Sequence, residues 1–328
     1  MTKILKILLI SLLAAGPCAW GQGYSISPIN ADAVLKTEHI RASVEYLTDP
    51  ALGGRATGTD GSRAVAAWLE GNFRVLGLQP LGGAWLHGFD TPDGMARNVI
   101  GLIPGSASPA RYTVLMAHYD NLGTLNGTFY PGADANASGV AALLELAGMV
   151  VRMNTCHKIY RSGLIVVALD AKEKNQAGAE ELWRLIAQRK LLDPVSGQAV
   201  SAAQIGLVVN LDQLGGTLAP LTEGNPRYLM MLSEEGSGRR SSLEAANKAR
   251  GLGLELAYDY YGSKDFTRLF YRRICDQRVF LDHGLSAVMF TSGITLNNNK
   301  PWDNAQSLDY DVLHDRIRLI FYWLDRGL

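Results

Sequence analysis

Three short apolar runs in this chain each end on side chains that can bind a metal or move a proton. Tyr112 to Ala117 leads into His118-Tyr119-Asp120, Leu164 to Leu169 into Asp170-Ala171-Lys172-Glu173, and Ile205 to Leu211 into Asp212. Runs of this length and composition read as buried strands. A His and several carboxylates at successive strand ends are a common way to hold a divalent cation. An Asp two residues beyond the His could orient its ring through the second ring nitrogen. Taken singly, each residue is as well explained by a polar cap or a surface charge; taken together, they read as one site. Asp134 and Asn136 precede an apolar run of helical length and belong to the same crevice, because open α/β sheets bind ligands beyond the carboxyl ends of their strands.

The elements that must position these residues follow from pattern and punctuation. A helical pattern from Ala31 to Leu47 is stopped by Asp49-Pro50. A turn-rich loop, Leu52 to Gly61, precedes a helix from Ser62 to about Leu76, which Gly77 ends. Arg97 to Ile103 reads as a strand, and the Asn136-Ala137-Ser138-Gly139 segment opens the central helix. Further helices are expected over about Ala177 to Arg189, Ser242 to Ala249 and Leu308 to Leu324, with strands at Tyr228 to Leu232 and Ala287 to Phe290. Strands alternating with helices predict an α/β fold with one mostly parallel sheet covered on both faces. No internal repeat or linker divides the chain.

Length and composition, 328 residues with 47% hydrophobic, are those of a globular protein. Lys+Arg and Asp+Glu both number 31, so no basic excess points to nucleic acid. Residues 1–21 read as a signal peptide: Lys3 and Lys6, the apolar run Ile7 to Ala15, then Ala19-Trp20-Gly21 as the cleavage site. This predicts a secreted or periplasmic protein with a single domain over residues 22–328. The apolar run is too short to span a bilayer, and no later stretch is expected to do so. Cys18 follows Pro17, a poor context for lipid attachment. Cys156 and Cys275 remain, and could either pair in an oxidising compartment or be two buried thiols.

Several ordered pieces carry a resemblance: Leu52-Gly53-Gly54-Arg55-Ala56-Thr57-Gly58-Thr59-Asp60-Gly61, Asn98-Val99-Ile100-Gly101, Ala117-His118-Tyr119-Asp120, Pro131-Gly132-Ala133-Asp134-Ala135-Asn136-Ala137-Ser138-Gly139-Val140 and Val209-Asn210-Leu211-Asp212. Together they cover nearly the whole chain beyond residue 21. The sequence resembles the secreted co-catalytic zinc aminopeptidases, family-28 metallopeptidases, relatives of glutaminyl cyclase and glutamate carboxypeptidase. The resemblance implies a three-layer α/β/α sandwich of zinc-exopeptidase type with a mostly parallel mixed sheet. It also implies two zinc ions bridged by an Asp, with a Glu acting as general base on the bridging water. By position, His118 and Asp212 match ligands of the first zinc, Asp120 the Asp that orients the His, and Glu173 a ligand of the second zinc.

Other positions depart from the family pattern. The bridging Asp falls on Ala135, the general base on Lys172, and the last His, counted back from Asp303, on Asn299. The family's Ser-Asp-His piece appears as Cys275-Asp276-Gln277, followed by Phe280 and Gly284. Ala135 has no donor atom, so a bridge would need Asp134 to reach round. A cationic Lys172 is a poor base at neutral pH. Set among Glu173, Asp212 and Asp134, its ammonium would instead supply part of the charge the metals bring; the plain alternative is a solvated Lys in a shifted loop.

The expected function is therefore a zinc-metallopeptidase-fold protein with a degenerate centre, catalytically inactive and binding a peptide or protein partner in the strand-end pocket. No catalytic residue is intact. His118, Glu173, Asp212 and Asp134 remain as metal-ligand candidates for no zinc ion or for one. The alternatives are an active metallo-aminopeptidase with a single or rearranged zinc and, more weakly, a cyclase-like acyltransferase. His283 reads as a helix-end residue rather than a ligand. Tyr258, Tyr260, Tyr261 and Trp302 fall near the pocket rim, for peptide binding or for packing.

Overall fold

Apolar, β-branched runs without alternation demand burial on both faces, and this chain stacks four of them side by side. The computed structural model describes residues 29–234 and 238–328; the expected signal peptide lies outside them. In chain order the strands are β1 (Gln79–Pro80), β2 (Leu86–Thr91), β3 (Gly94–Ile103), β4 (Tyr112–His118), β5 (Gly123–Leu125), β6 (Thr128–Tyr130), β7 (Gly163–Leu169), β8 (Ile205–Leu211), β9 (Tyr228–Ser233), β10 (Glu255–Ala257) and β11 (Ala287–Thr291). Nine of them form one sheet ordered β1-β3-β7-β4-β8-β11-β9-β10, with β2 on β3. Its centre, β7-β4-β8-β11, is parallel, and β3 and β9 join it antiparallel. Every residue of β4 and β7 is buried.

The helices are α1 (Ile29–Asp32), α2 (Thr37–Leu47), α3 (Asp60–Val75), α4 (Ser138–Thr155), α5 (Ala177–Ala187), α6 (Arg239–Arg250), α7 (Lys264–Leu269), α8 (Gln277–Asp282) and α9 (Tyr310–Gly327). Two apolar clusters lie on opposite faces of the sheet. One joins it to α2, α3, α4, α6 and α9; the other joins it to α5, α8 and Phe270-Tyr271. The expected α/β/α layering is thus present. The helical pattern starting at Ala31 is interrupted between Asp32 and Thr37, so it forms two helices.

The stretch Ala133–Thr155 is long and apolar enough to cross a membrane, contrary to the sequence expectation, but it is mostly buried within the fold. It packs as the core helix on β4, β7 and β8. Cys156 is engaged in a disulfide and Cys275 is a free buried thiol, so the two do not pair with each other.

From β4 the chain crosses to β7 on one side and then returns to β8 on the other. β4 is therefore the switch point where loops on its two sides diverge and open a crevice. His118 is its last residue.

Candidate functional site

His118 is 1% exposed and lies between two carboxylates. Its Nδ1 is 3.1 Å from the carbonyl oxygen of Asp120 and 3.5 Å from Asp120 Oδ1. Its Nε2 is 3.6 Å from Asp212 Oδ1 and has no hydrogen-bond partner. Burial and the Lys172 ammonium oppose a proton on this ring, but Asp120 and Asp212 outweigh them and raise its pKa to about 10. The two carboxylates thus favour a proton on this ring. Asp120 and Asp212 stay ionised despite burial. His118 and the amides of Glu173 and Lys172 hold Asp120 below its ordinary value, and Lys172 and His118 hold Asp212 at about 2.

Asp120 also joins the loops after β4 and β7, because its two oxygens accept the backbone N–H groups of Lys172 and Glu173, each at 3.0 Å. That clamp turns Lys172 inward. Its Nζ donates to Glu173 Oε1 at 3.1 Å, with both side chains about four-fifths buried. Burial works against the ammonium, yet Asp212 and Glu173 more than compensate and raise its pKa well above the ordinary lysine value. The solvated-lysine reading is overturned.

Two further groups complete the cluster. Cys275 is buried beside Asp212, and burial followed by the charge of Asp212 raises its pKa and keeps it a thiol. Asp276 is fully buried, and neither of its oxygens has a hydrogen-bond partner. Burial raises its pKa to about 7, although His118 and Lys172 pull it down. Sequence reasoning placed Asp276 in a motif but gave it no part in the site. Its signal was an Asp between Cys275 and Gln277, where Gln277 accepts a bond from Asn210 of β8.

Asp134 is held elsewhere. Its Oδ1 accepts from Gly215 N at 2.8 Å and Ser138 Oγ at 3.1 Å, and the backbone of Gly216 and the charge of Arg316 also face it. It does not reach round to the position of Ala135, whose own N–H donates to Asp303 Oδ2 at 3.1 Å. Asn136 is the staple of the crevice. Its Nδ2 donates to the carbonyls of Leu211 (2.9 Å) and His118 (3.3 Å), and its Oδ1 accepts from Gln213 N (2.9 Å) and Gly139 N (3.1 Å).

Asp170 also faces away from His118. It accepts from Thr57, Ser62 and Tyr119 hydroxyls and from Arg97 N. Arg55, fully buried, donates to the carbonyls of Tyr119, Leu47, Pro131 and Gly132 and so braces both loops that lead into the crevice. Gly54 before it has φ +80, and a Cβ there would sit 2.6 Å from the carbonyl oxygen of Gly123.

Asn299, at the expected last-His position, is exposed in a left-handed turn. Its neighbour Asn298 is the one turned inward, accepting from Gln213 Nε2 at 2.5 Å. His283 stacks on Trp183 with ring centroids 4.1 Å apart. Tyr260 is buried, Tyr258 bonds Glu244, and Tyr261 and Trp302 are exposed, Trp302 by 57%. Among the described residues no group of three or more His, Cys, Asp or Glu is arranged to hold a metal ion.

Residues 98–324 match the sequence profile of Peptidase family M28. The chain is 25% identical over 332 residues to a probable zinc metalloprotease of Pyrenophora tritici-repentis, covering 87% of this chain and 71% of that protein. It is 31% identical over 127 residues to the BOS complex subunit ncln of Danio rerio, covering 36% of this chain and 21% of that one. The solved zinc aminopeptidase of Bacillus subtilis superposes with a TM-score of 0.67 at 12% identity, over 89% of this chain and 95% of its own, and shares the fold. With more than half its length matched, this chain belongs to peptidase family M28; two of the three proteins just compared carry zinc in their names.

Proposed function

We propose that this chain is an M28-fold protein whose dinuclear zinc centre is replaced by an internal ion cluster, and that it binds a peptide or protein partner rather than hydrolysing peptides by the family's mechanism. The observation that carries this reading is the position of Lys172. Its ammonium lies 3.1 Å from Glu173, the expected ligand of the second zinc, and in the field of Asp212, the expected ligand of the first. Asp120 and Asp212 also favour a proton on His118, which adds positive charge beside the same carboxylates. Ala135 has no donor atom for a bridge, and the Lys172 ammonium is neither a metal ligand nor a base for water. The residues present therefore do not fit two zinc ions, and no hydrolytic step is derived through them.

One observation favours a second reading, an aminopeptidase using one metal. His118 Nε2 is buried, without a hydrogen-bond partner, and 3.6 Å from Asp212, a gap into which a single cation could draw both groups after loss of the ring proton. Under either reading the pattern of residues 1–21 supports a location outside the cytoplasm, in the periplasm or secreted.

The test is metal content by mass spectrometry after dialysis against trace zinc, alongside hydrolysis of aminoacyl anilides. The expected result is no bound metal and no turnover in the natural chain. Metal should be recovered in a variant carrying Ala135→Asp and Lys172→Glu with Asn298→His or Asn299→His. About one tightly bound zinc in the natural chain, with measurable turnover, would sink the first reading in favour of the second.

A further inference from the structure

At the opposite end of the sheet, beneath the amino ends of β4 and β8, lies a cavity of about 410 Å³. Its walls come from the start of β4, the loop before β7, the turn into β8, the first turn of α6 and the end of α9. Arg111, Arg239 and Arg326 line it, together with the hydroxyl residues Ser162 and Ser242 and with Trp323, and among the described residues no Asp or Glu does. None of these three guanidinium groups has a salt bridge among the described residues. Seven other arginines of the described residues, Arg184, Arg278 and Arg318 among them, are paired with carboxylates. The acid next along α9, Asp325, is already taken by Lys158 and Tyr160, at 2.5 and 2.6 Å.

Three arginines lining one cavity, with no salt bridge among the described residues, make its surroundings positive, which suits an oxyanion. Planar guanidinium groups bind such oxygens through paired N–H bonds. The first turn of α6 adds backbone N–H groups on the same wall, and no side chain caps them. We infer that this cavity is a binding site for a phosphate group, either free or as the terminal group of a small phosphomonoester. It lies at the far end of the sheet from His118 and does not depend on how the crevice functions.

Calorimetric titration and thermal melting of the full chain with inorganic phosphate test this, against sodium chloride at matched ionic strength. Glycerol 3-phosphate in a parallel arm separates a free anion from a monoester. One saturable site is expected, with a melting shift beyond that of chloride. Arg326→Gln, at an exposed position near the end of α9, should weaken binding about tenfold. Arg111→Gln with Arg326→Gln should abolish it, while Lys264→Gln leaves it unchanged. The double variant, relieved of clustered charge, should melt no lower than the natural chain when phosphate is absent. If it unfolds, Arg326→Gln alone carries the test. Equal shifts with phosphate and chloride, or undiminished binding by Arg326→Gln, would overturn the inference.

Discussion

On the β4–β8 side of the crevice, His118, Asp120 and Asp212 keep the residue types of an M28 centre and face one another at 3.5 and 3.6 Å. On the other side the positions at which the resemblance to the family leads one to expect donors hold Ala135, with a methyl group, Lys172, with an ammonium, and the exposed Asn299. The bracing around both sides is the same in kind. Asn136 ties β4 to β8, Asp120 holds the amides after β7, and Arg55 gathers four carbonyls. The difference teaches that the frame of such a site and its donor set answer to different demands. The frame satisfies buried backbone groups, which the fold needs whatever is bound. The donors need only balance charge, which a lysine can do.

Removing part of the frame should therefore cost most. Arg55→Met leaves four buried carbonyls without their donor, and a loss of about 4 kcal/mol or more is expected. It would be read as a shifted midpoint in urea unfolding. A loss under about 1 kcal/mol would mean that the bracing is dispensable and the comparison misplaced.

Lys172→Met removes the cation and leaves Glu173 and Asp212 without the positive charge they share. A destabilisation of about 2–4 kcal/mol is expected, as when one member of a buried ion pair is lost. Zinc in the buffer should restore none of it. Recovery on adding zinc would make the lysine a plug over a working metal site rather than its replacement.

The smallest effect concerns Asp276 and has the opposite sign. Its pKa in the folded chain, about 7 against an ordinary 3.8, means that the folded state holds this proton more tightly than the unfolded one. Through this group, stability is greatest at acid pH and falls as pH rises from about 4 to about 7. Asp276→Asn removes that slope. The variant should match the natural chain near pH 4 and exceed it by roughly 1–3 kcal/mol at pH 8, since each tenfold difference in proton affinity is worth about 1.4 kcal/mol. Equal pH profiles would show that Asp276 is ionised and paired after all.

Much of the frame was legible because periodicity and glycines report directly on the backbone. β8 appears with its predicted bounds and α5 begins at the predicted Ala177. The carboxyl-end grouping of His118, Asp120, Glu173 and Asp212 also follows from strand ends alone. What stayed hidden depends on distances across the fold. Asp134 has the right type beside the right motif, yet Gly215 N and Ser138 claim it. Asn299 came from counting, and the turn at residues 296–299 places Asn298 inward instead. Asp276 gave no sign of being unpartnered, since burial without a hydrogen bond has no signature in one sequence. The hairpin of β2 was missed because its burial is only partial.

Asn136 has one more consequence, which concerns time rather than position. The amide protons of Gln213 and Gly139 end on its side-chain oxygen inside the molecule, though Gln213 lies in the loop beyond β8. In deuterated solvent Gln213 should hold its proton as long as the strand interior does. The mouth of the crevice and the centre of the sheet then open together or not at all, and a bound partner would slow the isotope uptake of both.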